Sequence, residues 1–87
     1  MDNSTVEKMD AKKAVKQFIS ETSFVAEEKI GDDTLIFVEG IFDSMGFLSL
    51  INFIEDNFNI KAQDSELLEE NFESVNAIVN FINRKLN

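Results

Sequence analysis

The stretch Gly40-Ile41-Phe42-Asp43-Ser44-Met45-Gly46-Phe47-Leu48-Ser49-Leu50-Ile51-Asn52-Phe53-Ile54-Glu55-Asp56-Asn57-Phe58-Asn59 decides the fold. Phe47, Leu50, Ile51, Ile54 and Phe58 recur at three- and four-residue spacing. At about 100° per residue they cover roughly a third of a helix circumference. This predicts a helix over residues 44–58. Gly40 suits a tight turn before it. Asp43 and Ser44 are both good helix-capping residues. Asn57 and Asn59 tolerate the left-handed conformation that ends helices.

Upstream, Ala11, Ala14, Val15, Phe18 and Ile19 keep helical spacing, so the chain opens with an amphipathic helix of about four turns. Residues 1–5 read as a flexible polar tail, and Ser4-x-x-Glu7 has the form of a capping box. Lys8, Lys12, Lys13 and Lys16 fall mostly on the other side and read as a solvated face. Residues 21–43 show no clear period. A loop this long in so short a chain is expected to pack over the core, and the apolar run Leu35–Val38 supports that. Downstream, Ile60–Gln63 reads as a linker. Asp64 and Ser65 are placed to cap a brief helix reaching about Glu70. Ser74 can cap a last helix with Val75, Ile78, Val79, Ile82 and Leu86 on one face and Arg84 and Lys85 at its end, where cations suit the dipole. Neither strand alternation nor an internal repeat is present. The fold class is all-α: a small antiparallel four-helix bundle of three main helices, one short helix and a long first loop, forming one domain over residues 6–87.

Composition narrows the function. The chain has 87 residues, no cysteine and no histidine. A thiol nucleophile, a Ser-His-Asp triad and an imidazole or thiolate metal site are thereby excluded, and no catalytic or metal-ligating set is expected. Seventeen acids against eight bases give a net charge of −9. This is the wrong sign for neutralising phosphates, so nucleic acid is not an expected partner; a protein with a basic surface is. The charge is uneven, with nine acids and one lysine between residues 20 and 60. The first twenty residues lack an apolar signal core, and the longest apolar run is four residues, Leu35–Val38. A cytoplasmic protein with no membrane span is expected. Nine phenylalanines, with no tyrosine or tryptophan, suggest a core filled with rings that carry no polar atom.

Ser44 is the residue to follow. A helix start offers unpaired backbone N–H groups and a positive dipole end, both suited to a phosphate. The Asp43-Ser44 pair alone is an ordinary cap. Its context is more specific. Gly40, the apolar pair Ile41-Phe42, Asp43-Ser44, Met45 and the Ile/Leu-rich helix that follows resemble the acyl carrier protein family, with its peptidyl and D-alanyl relatives. Asp32-Asp33-Thr34 ahead of Ile36-Phe37, and Glu70-Asn71-Phe72-Glu73-Ser74-Val75, match further stretches of that family. The resemblance covers roughly residues 6–86.

The resemblance implies that Ser44 carries 4′-phosphopantetheine, installed from coenzyme A by a phosphopantetheinyl transferase, and that Asp43 orients the site and helps place the transferase's metal. The arm's thiol would then hold acyl intermediates for enzymes of a fatty-acid, polyketide or specialised lipid pathway. A chain without histidine or cysteine suits this role, because it can neither activate Ser44 nor form a thioester by itself. The protein is expected to be a carrier and not an enzyme, working as a monomer. Met45, Leu48, Asn52, Glu55 and Asp56, with Glu39 nearby, are expected to form a docking patch for basic surfaces on acyl-transferring or acyl-activating enzymes. Phe47, Leu50, Ile54 and Ile78 are candidates to line an acyl pocket. Carriers of bacterial fatty-acid synthesis usually have acids where this chain has Gly46 and Ser49, which points to a specialised carrier. Three alternatives stand beside this reading: an aminoacyl carrier, a helical adaptor in which Ser44 is only a cap, and a weak divalent-cation module using Asp32-Asp33 or Asp64-x-Glu66.

Overall fold

The computed structural model describes residues 3–86, with side chains from Ala11 onward. The expected capping box of Ser4 and Glu7 involves side chains outside the described residues, as do Met1 and Asp2 of the expected tail. The backbone is helical from Asn3. Four α-helices follow in order: α1 (Asn3–Ser23), α2 (Ser44–Phe58), α3 (Glu69–Phe72) and α4 (Val75–Leu86). Short 3-10 turns occupy Glu27–Lys29 and Asp64–Glu66. Among the described residues there is no strand. The protein is a small all-helical bundle in which α1 packs on both α2 and α4 and α3 packs on α4.

Helix α2 has the expected bounds. Leu50, Ile51 and Ile54 of its apolar stripe are buried, while Phe47 and Phe58 are half-buried. Asn59 ends it with φ 56°, in the left-handed region. Helix α4 also follows expectation at its start, where the Ala77 N–H donates to Ser74 Oγ at 3.1 Å. Val75, Ile78 and Ile82 are buried as expected; Phe81 joins them, and Leu86 is instead exposed because it lies past the last packed turn.

The third helix differs from expectation. Asp64 and Ser65 begin only a 3-10 turn, because Gln63 and Glu66 close a capping box upon it. Lys85 Nζ then holds Glu66 Oε1 at 2.9 Å. The short helix begins five residues later and is anchored by the fully buried Phe72.

The long first loop is packed, as expected. It buries Ile30, Ile36 and Phe42. Of the run Leu35–Val38, only Ile36 is buried; Phe37 is half-buried, and Leu35 and Val38 face solvent. The loop is tied down by backbone bonds. Ile36 N–H donates to Glu73 O at 2.9 Å, Phe42 N–H to Ile36 O at 2.9 Å, and Asn76 N–H to Asp32 O at 3.0 Å. Gly40 turns the chain with φ 76°. The lysines of α1 are not all solvated. Lys12 and Lys16 both reach Asp32, at 3.0 and 2.9 Å.

Eight of the nine phenylalanines form one continuous series of ring contacts: Phe58, Phe53, Phe18, Phe42, Phe37, Phe47, Phe72 and Phe81. Phe18 stacks on Phe53 with centroids 4.3 Å apart, which joins α1 to α2. Edge-on and tilted pairs then carry the series through the loop to α3 and α4. Such geometries suit the ring quadrupole and add to simple burial.

Candidate functional site

The start of α2 gathers the residues that sequence reasoning singled out. Asp43 is the N-cap, and its Oδ1 accepts the Gly46 N–H at 3.0 Å. Ser44 is therefore the first residue inside the helix and does not serve as its cap. Its side chain is exposed. The Ser44 and Met45 N–H groups belong to the first turn, where a helix offers donors without intrahelical acceptors. An anion on Ser44 Oγ would sit at the positive end of the helix dipole.

Gly46 has a packing reason. A Cβ built there would stand 2.9 Å from Phe42 Cγ and 3.0 Å from Cδ1. The buried Phe42 ring lies against the first turn of α2, in space that any side chain at position 46 would claim. This accounts for glycine where an acid was the expectation from related carriers. At Ser49 the structure offers no comparable constraint.

A cleft of about 380 Å³ opens beside Ser44. Phe37, Phe42, Phe47 and Leu67 give it apolar walls, and Asp43 and Glu69 give it acidic ones. Of the four expected pocket residues, Phe47 alone lines this cleft. Leu50, Ile54 and Ile78 are fully buried in the core behind it, where neighbouring side chains fill the space.

The expected docking residues are distributed unevenly. Met45 is 70% exposed and Leu48 57% exposed, both on the solvent side of α2. Asn52, Asp56 and Glu39 are exposed as well. Glu55 departs from expectation: it is half-buried, and its Oε2 accepts the Ala62 N–H at 2.9 Å, so it clasps the linker after α2.

Three of the four acids that suggested a cation site have structural partners instead. Asp32 holds Lys12 and Lys16, Asp33 accepts from Asn76 at 2.8 Å, and Glu66 holds Lys85. The Lys16 and Lys12 ammonium groups keep the Asp32 carboxyl below its ordinary range. The Gln63 backbone N–H and Lys85 do the same for Glu66. Among the described residues no cluster of three or more acidic side chains could hold a metal ion.

Comparison with protein families decides the family. The family described as "Phosphopantetheine attachment site" matches residues 13–82. The chain belongs to the phosphopantetheine-attachment family. No curated protein matches the chain at a significant level. The carrier's cofactor is accordingly 4′-phosphopantetheine, covalently bound. The residues at the start of α2 fit it: an exposed hydroxyl, a helix dipole for the phosphodiester and an adjoining cleft wide enough for a flexible arm. When bound, the cofactor supplies the thiol that the polypeptide lacks.

Sequence reasoning missed the cleft residues Phe37, Phe42, Leu67 and Glu69. None belongs to a periodic stripe: Phe37, Phe42 and Leu67 reach the cleft from irregular segments, and Glu69 from the first residue of the short α3.

Proposed function

We propose that this protein is an acyl carrier whose arm is attached at Ser44, with residues 6–87 as its single carrier domain. The observation that carries the proposal is the division of labour at α2. Asp43 takes the helix cap, which leaves the Ser44 hydroxyl exposed beside the cleft. The serine is presented to an external transferase that brings its own base and metal. Asp43 keeps the first turn of α2 in register and helps place that metal. The helix start then holds the phosphodiester through its dipole and unpaired N–H groups.

Acyl cargo suits the cleft's apolar walls of Phe37, Phe42, Phe47 and Leu67. An aminoacyl cargo is favoured by one feature, the Glu69 carboxylate on the same cleft, which would pair with an amine. Met45 and Leu48, rimmed by Glu39, Asn52 and Asp56, form the docking surface for the transferase and for acyl-handling enzymes with basic surfaces. The protein works as a cytoplasmic monomer, serving its own enzymes in a fatty-acid, polyketide or specialised lipid pathway. Among the described residues no helix is long and apolar enough to cross a membrane.

Thiol titration tests this directly, because the chain has no cysteine. Treatment with coenzyme A, magnesium and a broad-specificity phosphopantetheinyl transferase should produce one titratable thiol per chain. A Ser44→Ala chain should gain none. A thiol on the Ser44→Ala chain would move the attachment elsewhere. Loading of the thiol by an acyl-activating ligase, but not by an amino-acid-adenylating one, would separate the two cargoes.

A further inference from the structure

The ninth phenylalanine stands apart from the other eight. Phe24 follows the last residue of α1, and its side chain is 93% exposed. Its backbone has φ 63°, the left-handed region that favours glycine. Its N–H donates to Ser20 O at 2.8 Å, so it occupies the position that ends α1. Ser20 Oγ and Ser23 Oγ fix the turn by donating to Val25 O and Ile19 O, both at 2.6 Å. Nothing in the packing of this turn calls for a large apolar ring. A phenylalanine here bears both backbone strain and unburied apolar surface, and strain held at an exposed residue points toward function.

Two observations say what would cover it. The first is charge. Phe24 lies between exposed Glu21 and the exposed pair Glu27-Glu28, with Lys29 the single base in the segment. The second is place. Phe18, in the last part of α1, meets Phe42 just ahead of α2 as well as Phe53 within it, so the end of α1 lies beside the start of α2. Thr22, two residues before Phe24, lines a hollow of about 300 Å³ together with Asp43, Met45 and Ser49. The Phe24 corner is thus continuous with the surface around Ser44.

We propose that Phe24 is a docking anchor for the enzyme that modifies Ser44, filling an apolar notch rimmed by lysine or arginine on that enzyme. The inference rests on the Ser44 reading above and adds a second contact outside α2. A projecting aromatic ring with an acidic rim has the form of an interface hot spot, in which one buried ring carries most of the energy and the surrounding charges steer the encounter.

Binding of the carrier to a phosphopantetheinyl transferase, measured by calorimetric titration, tests this. Phe24→Gly is the informative variant because glycine suits φ 63° and leaves the fold relaxed. In both the native and the Ser44→Ala background, Phe24→Gly should weaken binding about tenfold, with Tm equal or higher. In the native background the KM for priming should rise by the same factor while kcat holds. A Glu27→Gln/Glu28→Gln chain should bind more weakly at low salt and equal the native chain at high salt. Unchanged affinity in Phe24→Gly would overturn the proposal. So would a lowered Tm, which would make the ring a fold element, or a native self-association abolished by Phe24→Gly, which would make the occupant a second copy of this chain. Intact binding without priming would count against the Ser44 reading alone, since the docking loss is also read in the Ser44→Ala chain.

Discussion

Asp43 Oδ1 accepts the backbone N–H of Gly46 at 3.0 Å, and this bond releases Ser44 from capping α2. Adjacent residues that both suit a cap have been given separate tasks. Asp43→Ala should cost about 1 kcal/mol of stability in a urea titration. Ser44→Ala should change it by less than about 0.5 kcal/mol.

Asp43→Asn separates the cap from the charge. Asparagine caps as well as aspartate, so stability should hold. Priming should slow by a factor on the order of 10–100, as expected when an outer ligand of a metal site is lost. Transferase kinetics beside a denaturation curve would show the two effects apart. Equal losses of stability and rate would make Asp43 a cap and nothing more.

Gly46→Ala tests the packing of Phe42. A glycine inside a helix normally gains up to about 1 kcal/mol on becoming alanine. Here the new methyl would meet a buried ring at 2.9 Å. The variant should instead lose about 1–3 kcal/mol, the range for overpacking. The ring series is more demanding still. Phe72→Ala removes a fully buried ring that touches both Phe47 and Phe81, at a cost of about 3–5 kcal/mol. For a domain this small, that approaches the whole stability.

Acid should loosen the clasps of the loop and linker. Asp32 and Glu66 both have lowered pKa values in the folded chain. Their contribution is fully present above the ordinary carboxylate range. As pH falls below that range, the unfolded chain takes up protons first and stability declines. The contribution is gone once pH passes below the lowered folded-state values. Asp32→Asn and Glu66→Gln should each flatten the acid limb of a Tm-versus-pH curve. Both clasps are partly open to solvent, so high salt should flatten it as well.

The regular helices were legible because their signals are local. The stripe from Phe47 to Phe58 and the left-handed Asn59 bound α2, and Ser74 marks the start of α4. The third helix was misplaced because Asp64-Ser65 carries a cap signal that the Gln63–Glu66 box converts into a 3-10 turn. What anchors α3 is burial of Phe72, a tertiary fact with no period to reveal it. Ile30, Ile36 and Phe42 reach the core singly, six residues apart, along a loop. The cleft beside Ser44 takes two of its walls, Phe37 and Phe42, from that same loop. Ser44 and Asp43 were readable from their motif, whereas Phe24 was not, since exposure of one ring leaves no pattern in the sequence.

Attachment of the arm at Ser44 is the central claim, and intact mass tests it most directly. The native chain, incubated with coenzyme A, magnesium and a phosphopantetheinyl transferase, should gain the mass of one phosphopantetheine unit. Peptide mapping should place that mass on Ser44, and the Ser44→Ala chain should gain nothing. An added mass on any other residue, or an unmodified native chain that is folded and bound by the transferase, would contradict the account.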